Sequence, residues 1–377
     1  MLNPKELFDN FISRDITYFA GVPDSLLKDF CAYITDHADE SKHVITANEG
    51  NAIALAAGYH LGTGKTALVY LQNSGLGNAI NPLLSLNDSE VYGLPLIIMI
   101  GWRGEPGEID EPQHIKQGRV TKEMLNVMEI PWQILDDKTK DTSEVIDKAI
   151  RQIKETGGPT ALLVRKGTFE KYTLKKTKSN KYQLTREKII QRIVDLTSRN
   201  ALLVSTTGMA SRELYEYRVS RGDKVGNDFM TVGAMGHASS ISLGLAHSQP
   251  NKKIVCIDGD GSVLMHMGAL TIIGQSKQHN LIHLILNNGS HDSVGGQPTC
   301  AFEIDIAAIA LACGYQQVKV VEAMQDFDIV FQEMLSSSGP SLLEIKINNI
   351  SRNNLGRPKT TPLQNRDALM EYLGVSI

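Results

Sequence analysis

The stretch Cys256-Ile257-Asp258-Gly259-Asp260-Gly261-Ser262-Val263 sets an acid between two glycines where the apolar run KKIVCI ends. In open parallel sheets, ligands bind where the carboxyl ends of strands meet the N-termini of the following helices. Gly259 and Gly261 let the chain turn sharply there and leave room for a bulky group, while the free N–H groups of the next helix suit a phosphate. Asp260 repels a phosphate unless a cation lies between them. The sequence offers a partner 28 residues on, at Asn288, where the next strand LIHLILNN ends. Adjacent parallel strands bring those ends together, so a carboxylate and an amide oxygen can share one hard cation. Mg²⁺ prefers oxygen ligands in octahedral geometry and completes its shell with phosphates and water. Gly-Asp-Gly alone also marks an ordinary tight turn; followed by one helix, one strand and Asn-Asn it is much more specific.

Outward from this loop, strands and helices alternate in both directions. In the first half, strand-like runs occur at TYFAGV (17–22), HVITA (43–47), TALVYLQ (66–72), PLIIMIG (95–101), PWQILD (131–136) and TALLVRK (160–166). Asn3-Pro4-Lys5-Glu6 is a helix start, with a capping Asn, Pro at the first helical position and an early Glu. The lysine-rich stretch 167–184, GTFEKYTLKKTKSNKYQL, suits an exposed linker. Beyond it the alternation resumes, with strands at ALLVSTTG, FMTV, KKIVCID, LIHLILNN, QQVKVV and SLLEIKI. Short, continuously apolar strands separated by helices predict doubly wound parallel sheets covered on both faces. The fold class is therefore α/β, in two halves of one pattern but without a visible residue-level repeat.

A chain of 377 residues with a formal net charge of −4 is long enough for two domains and gives no general reason to expect nucleic acid as a partner. Cys31, Cys256, Cys300 and Cys313 form no CxxC pair, the first 25 residues carry charges throughout, and the longest apolar run, LPLIIMI (94–100), is too short to cross a bilayer. These features predict a cytoplasmic protein with reduced thiols and no membrane span.

With Gly259-Asp260-Gly261 and Asn287-Asn288 in place, the sequence resembles the thiamine diphosphate enzyme superfamily. The resemblance implies thiamine diphosphate and Mg²⁺ as cofactors, and the thiamine diphosphate-binding fold in both domains. Mg²⁺ would be held by Asp260, the side chain of Asn288 (with Asn287 as the alternative) and the backbone carbonyl of Ser290. Gly259, Gly261 and Ser262 would lie against the diphosphate. Glu49, in HVITANEGNAIALAAGYHLGTGK, takes the place of the glutamate that activates the aminopyrimidine; read alone, it is a helix-start acid opposing the dipole. In TVGAMGHASSISLGLA (231–246), Met235 would wedge under the cofactor and the Gly233 carbonyl would accept from its amino group, although a methionine is more often core filler. Thr207 and Gly208, in Ser205-Thr206-Thr207-Gly208-Met209, would line the pyrimidine and diphosphate. Residues 1–170 would form the pyrimidine-binding domain and 185–377 the diphosphate-binding domain. Sites in this superfamily lie between subunits, which implies a homodimer or a higher homo-oligomer.

The segments GVPDS (21–25), LQNSGLGNAINPLLSL (71–86), GWRGEPGEIDEPQHIKQG (101–118), STTGMASREL (205–214) and SHDSVGGQPT (290–299) narrow the resemblance to decarboxylases of small 2-oxo acids carrying a phosphonate. A sulfonate-bearing substrate is the alternative, and a non-catalytic module of the same fold is the non-enzymatic one. The implied reaction is a carbon–carbon lyase step that releases carbon dioxide and an aldehyde. Asp24, His114 and His291 are the candidates for proton transfer; Asp24 is equally placed to cap the helix that follows, and each histidine reads also as a polar loop residue. Arg103, Lys116, Arg357 and Lys359 are candidate phosphonate contacts in loops, and the segment ISRNNLGRPKTTPLQN after the last strand is a candidate cover for the site.

Overall fold

A computed structural model describes residues 1–176, 180–197, 201–352 and 354–375. The described chain divides into two compact units, Met1–Thr177 with Ser293–Pro298, and Lys178–Asp292 with Thr299–Ile377. The division falls inside the lysine-rich stretch, of which residues 177–179 lie outside the described residues.

The first unit is built on β1 (Phe19–Gly21), β2 (His43–Ile45), β3 (Ala67–Gln72), β4 (Leu96–Gly101), β5 (Trp132–Leu135) and β6 (Thr160–Val164). They pair in parallel in the order β2-β1-β3-β4-β6-β5. The second unit carries β7 (Leu202–Ser205), β8 (Phe229–Met230), β9 (Ile254–Gly259) and β10 (Leu281–Asn287). The short strand β11 (Ser290–His291) follows in this unit, β12 (Gln297–Pro298) lies in the stretch that belongs to the first unit, and β13 (Gln317–Val321) and β14 (Ser341–Lys346) complete the second. Its sheet runs β8-β7-β9-β10-β14-β13. When the six sheet strands of each unit are counted in chain order, both sheets read 2-1-3-4-6-5. The similarity of pattern seen in the two halves is a shared topology.

The continuous apolar runs follow from burial on both faces of each sheet. Along β10, Ile282, Leu284 and Leu286 pack with Phe327, Phe331 and Met334 on one face, while Leu281 and Ile285 pack with Leu202, Ile273 and Ala310 on the other. In the first unit, Leu68, Tyr70 and Met99 join Phe11, Phe19 and Phe30, and Val69, Leu71 and Ile98 join Ile53, Leu76 and Leu125. Asn3 caps the first helix, Pro4–Ile12, by accepting from the Lys5 N–H, as its sequence implies. A terminal helix, Pro362–Tyr372, opens with a capping box made by Thr361 and Gln364.

In each sheet the chain leaves the first and third strands in opposite lateral directions, so a crevice opens at their carboxyl ends, between β1 and β3 and between β7 and β9. Truncating the core beneath the second crevice is expected to be costly. Leu284→Ala should lower unfolding free energy by about 2–5 kcal/mol in urea titration; a loss below about 1 kcal/mol would contradict the two-sided packing of β10.

Candidate active site

The register of β9 and β10 decides what meets at the second crevice. Ile285 pairs with Asp258 and Leu286 with Gly259, so Asp260 and the Asn287-Asn288 pair leave neighbouring strand ends side by side. Asn287 is fully buried and occupied: its amide donates to the Ala301 carbonyl and the Glu344 carboxylate, and its oxygen accepts from the Gly289 N–H. Asn288 is the residue whose amide remains at the crevice, donating to Asp292 Oδ2 at 2.8 Å and accepting from the Ser290 N–H at 3.0 Å.

Asp260 is 3 % exposed, and Thr299 Oγ1 donates to its Oδ2 at 2.5 Å. Burial pushes its carboxyl up to about 6; Thr299 and local N–H groups oppose that rise, and the charge of Asp292 adds to it. Desolvated carboxylate oxygens beside an amide oxygen form a hard, oxygen-only donor set. A Cβ built on Gly259 or on Gly208 meets no atom within 4 Å, so each glycine borders open space. Gly208 also turns at φ +93°, which a side chain would resist. The residues present thus fit a divalent cation and a diphosphate: Asp260 and Asn288 as ligands, with Gly208 and Gly259 bordering open space. The helix after the loop is short, Asp260–Met265, and a second helix, Ala269–Ser276, follows it.

The remaining candidates of this unit gather around the same loop. Thr206 Oγ1 donates to Ser262 Oγ at 3.0 Å across the β7/β9 crevice, and Ser262 Oγ accepts from the Gly236 N–H at 2.9 Å. That ties the Gly233–Gly236 turn, in which Ala234 takes φ +52°, to the Gly-Asp-Gly loop. Thr207, Gly233 and Met235 are half-buried. A Cβ on Gly261 would lie 3.0 Å from His291 Cε1 and 3.4 Å from Met235 Cε, so both side chains pack over that glycine. Loss of hydration lowers the His291 pKa to about 4, which leaves the ring neutral near pH 7.

The described part of the C-terminal segment runs along the helix Met209–Ser220. Arg212 donates to the Leu355 and Gly356 carbonyls, Arg352 pairs with Glu187 and Glu216, and the Lys359 N–H reaches Tyr215 Oη.

In the first unit, Asp24 follows β1 and is 1 % exposed. Its Oδ2 accepts from the Leu26 and Leu27 N–H groups at 2.7 and 3.2 Å, which closes the turn ahead of the next helix. That helix, Lys28–His37, has Leu27 at its N-cap and no side-chain cap, so Asp24 is not its cap, and Oδ1 is buried with no hydrogen-bond partner among the described residues. Gly101, at the end of β4, makes room for this carboxyl: a Cβ there would lie 2.1 Å from Oδ2. Burial pushes Asp24 up to about 6, with the two N–H groups and Arg103 pulling against it. Arg103 is not a free cation for a substrate, since Asp110 takes its Nε and Nη2 and Ser25 Oγ its Nη1. His114 lies on the helix Pro112–Val127 with Nδ1 buried and without a hydrogen-bond partner among the described residues, and burial with the nearby Arg103 lowers its pKa to about 4. Lys116, expected in a loop, is on that same helix and exposed.

Glu49 starts the helix Glu49–Thr63 behind β2 and is 5 % exposed. Asn78 Nδ2 donates to its Oε2 at 2.7 Å, and the carboxylate packs so closely on Gly75 that a Cβ there would lie 2.3 Å from Oε1. Sequence reasoning did not find Asn78, Gly75, Asp110 or Thr299, although all four lie in or beside segments that attracted attention for other residues.

Both units match known domains. Residues 6–125 match the N-terminal, and 206–345 the C-terminal, thiamine pyrophosphate binding domain of thiamine pyrophosphate enzymes. A phosphonopyruvate decarboxylase from Streptomyces viridochromogenes is 36% identical over 97% of this chain and 93% of its own. Another, from Streptomyces hygroscopicus, is 34% identical over 96% and 92%. A sulfopyruvate decarboxylase from Methanosarcina acetivorans is 28% identical over 92% and 91%. The chain belongs to the thiamine pyrophosphate enzymes, and within them to the phosphonopyruvate decarboxylase family. It is a lyase of the thiamine pyrophosphate-dependent class.

Asp24 yields a prediction independent of any ligand. Its folded pKa lies above the ordinary value, so it favours the fold at low pH and that contribution is lost as pH rises through about 6. Asp24→Asn removes this titration. In urea unfolding of the cofactor-free protein, the variant should gain about 2–3 kcal/mol relative to wild type between pH 3 and pH 8; a pH-independent difference would contradict the buried carboxyl.

Proposed function

We propose that the protein decarboxylates 3-phosphonopyruvate to phosphonoacetaldehyde and carbon dioxide, with thiamine diphosphate and Mg²⁺, as a step of phosphonate biosynthesis. The likeness to the Streptomyces enzymes over nearly the whole chain carries the substrate, and the buried Asp260 and Asn288 at neighbouring strand ends carry the chemistry. Bound thiamine diphosphate supplies the electron sink for loss of carbon dioxide.

The protein's residues do the rest. Asp260, Asn288 and the Ser290 carbonyl hold the cation that neutralises the diphosphate, and Gly259, Gly261, Ser262, Thr207 and Gly208 form its bed. Met235, packed on Gly261, and the Gly233 carbonyl fix the ring geometry. Glu49, fixed by Asn78, hydrogen-bonds the aminopyrimidine. When the bond between the carboxylate carbon and the 2-oxo carbon breaks, the pair left behind must take up one proton before the aldehyde departs. Asp24, whose pKa of about 6 keeps a proton available in mildly acidic solution, supplies it, and the neutral rings of His114 and His291 donate hydrogen bonds. Arg103 positions Asp24 through Ser25, whose Oγ accepts from its Nη1; Lys359 is a candidate cation for the phosphonate.

The working form is a homodimer or larger homo-oligomer whose copies complete one another's sites. The helix that begins with Glu49 supports this, since its Ala54, Leu55, Gly58, Leu61 and Gly62 form an exposed, largely apolar face. Four cysteines outside any disulfide support a reducing, cytoplasmic setting. No described helix is long and apolar enough to cross a membrane.

Purified protein with thiamine diphosphate and Mg²⁺ should release aldehyde from phosphonopyruvate faster than from sulfopyruvate or pyruvate; faster turnover of either competitor overturns the substrate. Glu49→Gln should retain cofactor binding and lose about 10²–10⁴-fold in kcat, and near-normal turnover would remove Glu49 from the mechanism.

A further inference from the structure

The Asn288 amide has to present its oxygen, not its nitrogen, to a cation, and nothing in the amide itself decides which end points where. The neighbours decide it. Asp292 Oδ2 only accepts, so it must face Nδ2, at 2.8 Å; the Ser290 N–H only donates, so it must face Oδ1, at 3.0 Å. A flipped amide would set oxygen against carboxylate and N–H against N–H.

Asp292 is itself held. The same Oδ2 accepts from Arg186 Nη1 at 3.2 Å and from Ser351 Oγ at 3.3 Å. Arg186 is fixed in turn by a two-point pairing with Glu213, Nε to Oε2 at 2.9 Å and Nη2 to Oε1 at 3.1 Å, and its Nη2 also reaches Ser351 Oγ at 2.9 Å. The side chains of Arg186, Glu213 and Asp292 are 11, 2 and 13 % exposed, so water does not compete effectively for these bonds. The planar guanidinium makes a rigid bridge between two acids.

We propose that the chain Glu213–Arg186–Asp292 is a positioning device for the cation site: it locks Asn288 with its amide oxygen toward the ion, and Asp292 acts through this orientation instead of as a ligand. The inference rests on the proposed cation site of Asp260 and Asn288. Partners that orient metal ligands typically change affinity by 10–100-fold when removed. Because these three bonds all use Oδ2, Asp292→Asn can retain that acceptor while losing the charge, whereas Asp292→Ala loses the acceptor.

The test is Mn²⁺ binding, followed by electron paramagnetic resonance in the presence of thiamine diphosphate, alongside the melting temperature of the apoprotein. Asp292→Ala should weaken Mn²⁺ binding by about 10–100-fold and Asp292→Asn by no more than about 5-fold. A purely structural role would lower both melting temperatures without separating the two affinities. Wild-type affinity in Asp292→Ala, or equal weakening in the two variants, overturns the inference. Should Asp292→Ala fail to fold, Arg186→Lys, which cannot hold both acids in the same fork, should weaken binding by about 5–10-fold, and unchanged affinity overturns the inference. Asp260→Ala separates the two levels: if it leaves Mn²⁺ binding intact, the cation site itself is wrong; if it abolishes binding while Asp292→Ala does not, only the positioning role is wrong.

Discussion

The desolvated carboxylate of Asp260 is the constraint around which the second unit is organised. A carboxylate withdrawn from water at a strand end, with one hydroxyl donor from Thr299 and a second acid, Asp292, close by, is an electrostatic demand that a divalent cation satisfies well. The fold meets the cost of keeping it there with the two-sided core of β9 and β10, and with glycines that turn the chain without filling the crevice. The same logic recurs in the first unit. Asp24 is buried just past the end of β1 in the space that Gly101 leaves, with one oxygen lacking a hydrogen-bond partner among the described residues. Two sheets of identical strand order thus each bury an acid beside the crevice between their first and third strands, one suited to hold a cation and the other to hold a proton.

The division of labour between these acids follows from their surroundings. Asp260 has an amide oxygen and a hydroxyl as neighbours, all of them oxygen ligands or supports for one. Asp24 has backbone N–H groups on one oxygen and an arginine that Asp110 already neutralises. An acid whose nearby cation is spoken for retains a raised pKa, and that is the property a proton donor near neutral pH requires.

Much of this was legible in the sequence. The fold class followed from the apolar runs, because a strand covered on both faces has no polar alternation to show. The Gly-Asp-Gly loop and its Asn-Asn partner were legible because their spacing is that of one helix and one strand. Strand order was not, since hydrophobic period says nothing of which strands pair. Nor was the chain through Arg186: its contacts to Glu213 and Asp292 span 27 and 106 residues, and each residue alone looks like a surface charge. Arg103 looked like a free cation because its partner Asp110, seven residues on, seemed one acid among several. The helix Pro362–Tyr372 was overlooked although Thr361-Pro362 followed by Gln364 spells a helix start.

The central claim concerns where one ion binds. Crystals grown with thiamine diphosphate and Mn²⁺, with data collected to locate manganese by anomalous scattering, test it most directly. A single strong peak about 2 Å from an Asp260 oxygen, Asn288 Oδ1 and the Ser290 carbonyl is the predicted result. A manganese peak elsewhere, or a diphosphate bound with Asp260 outside the coordination sphere, would contradict it.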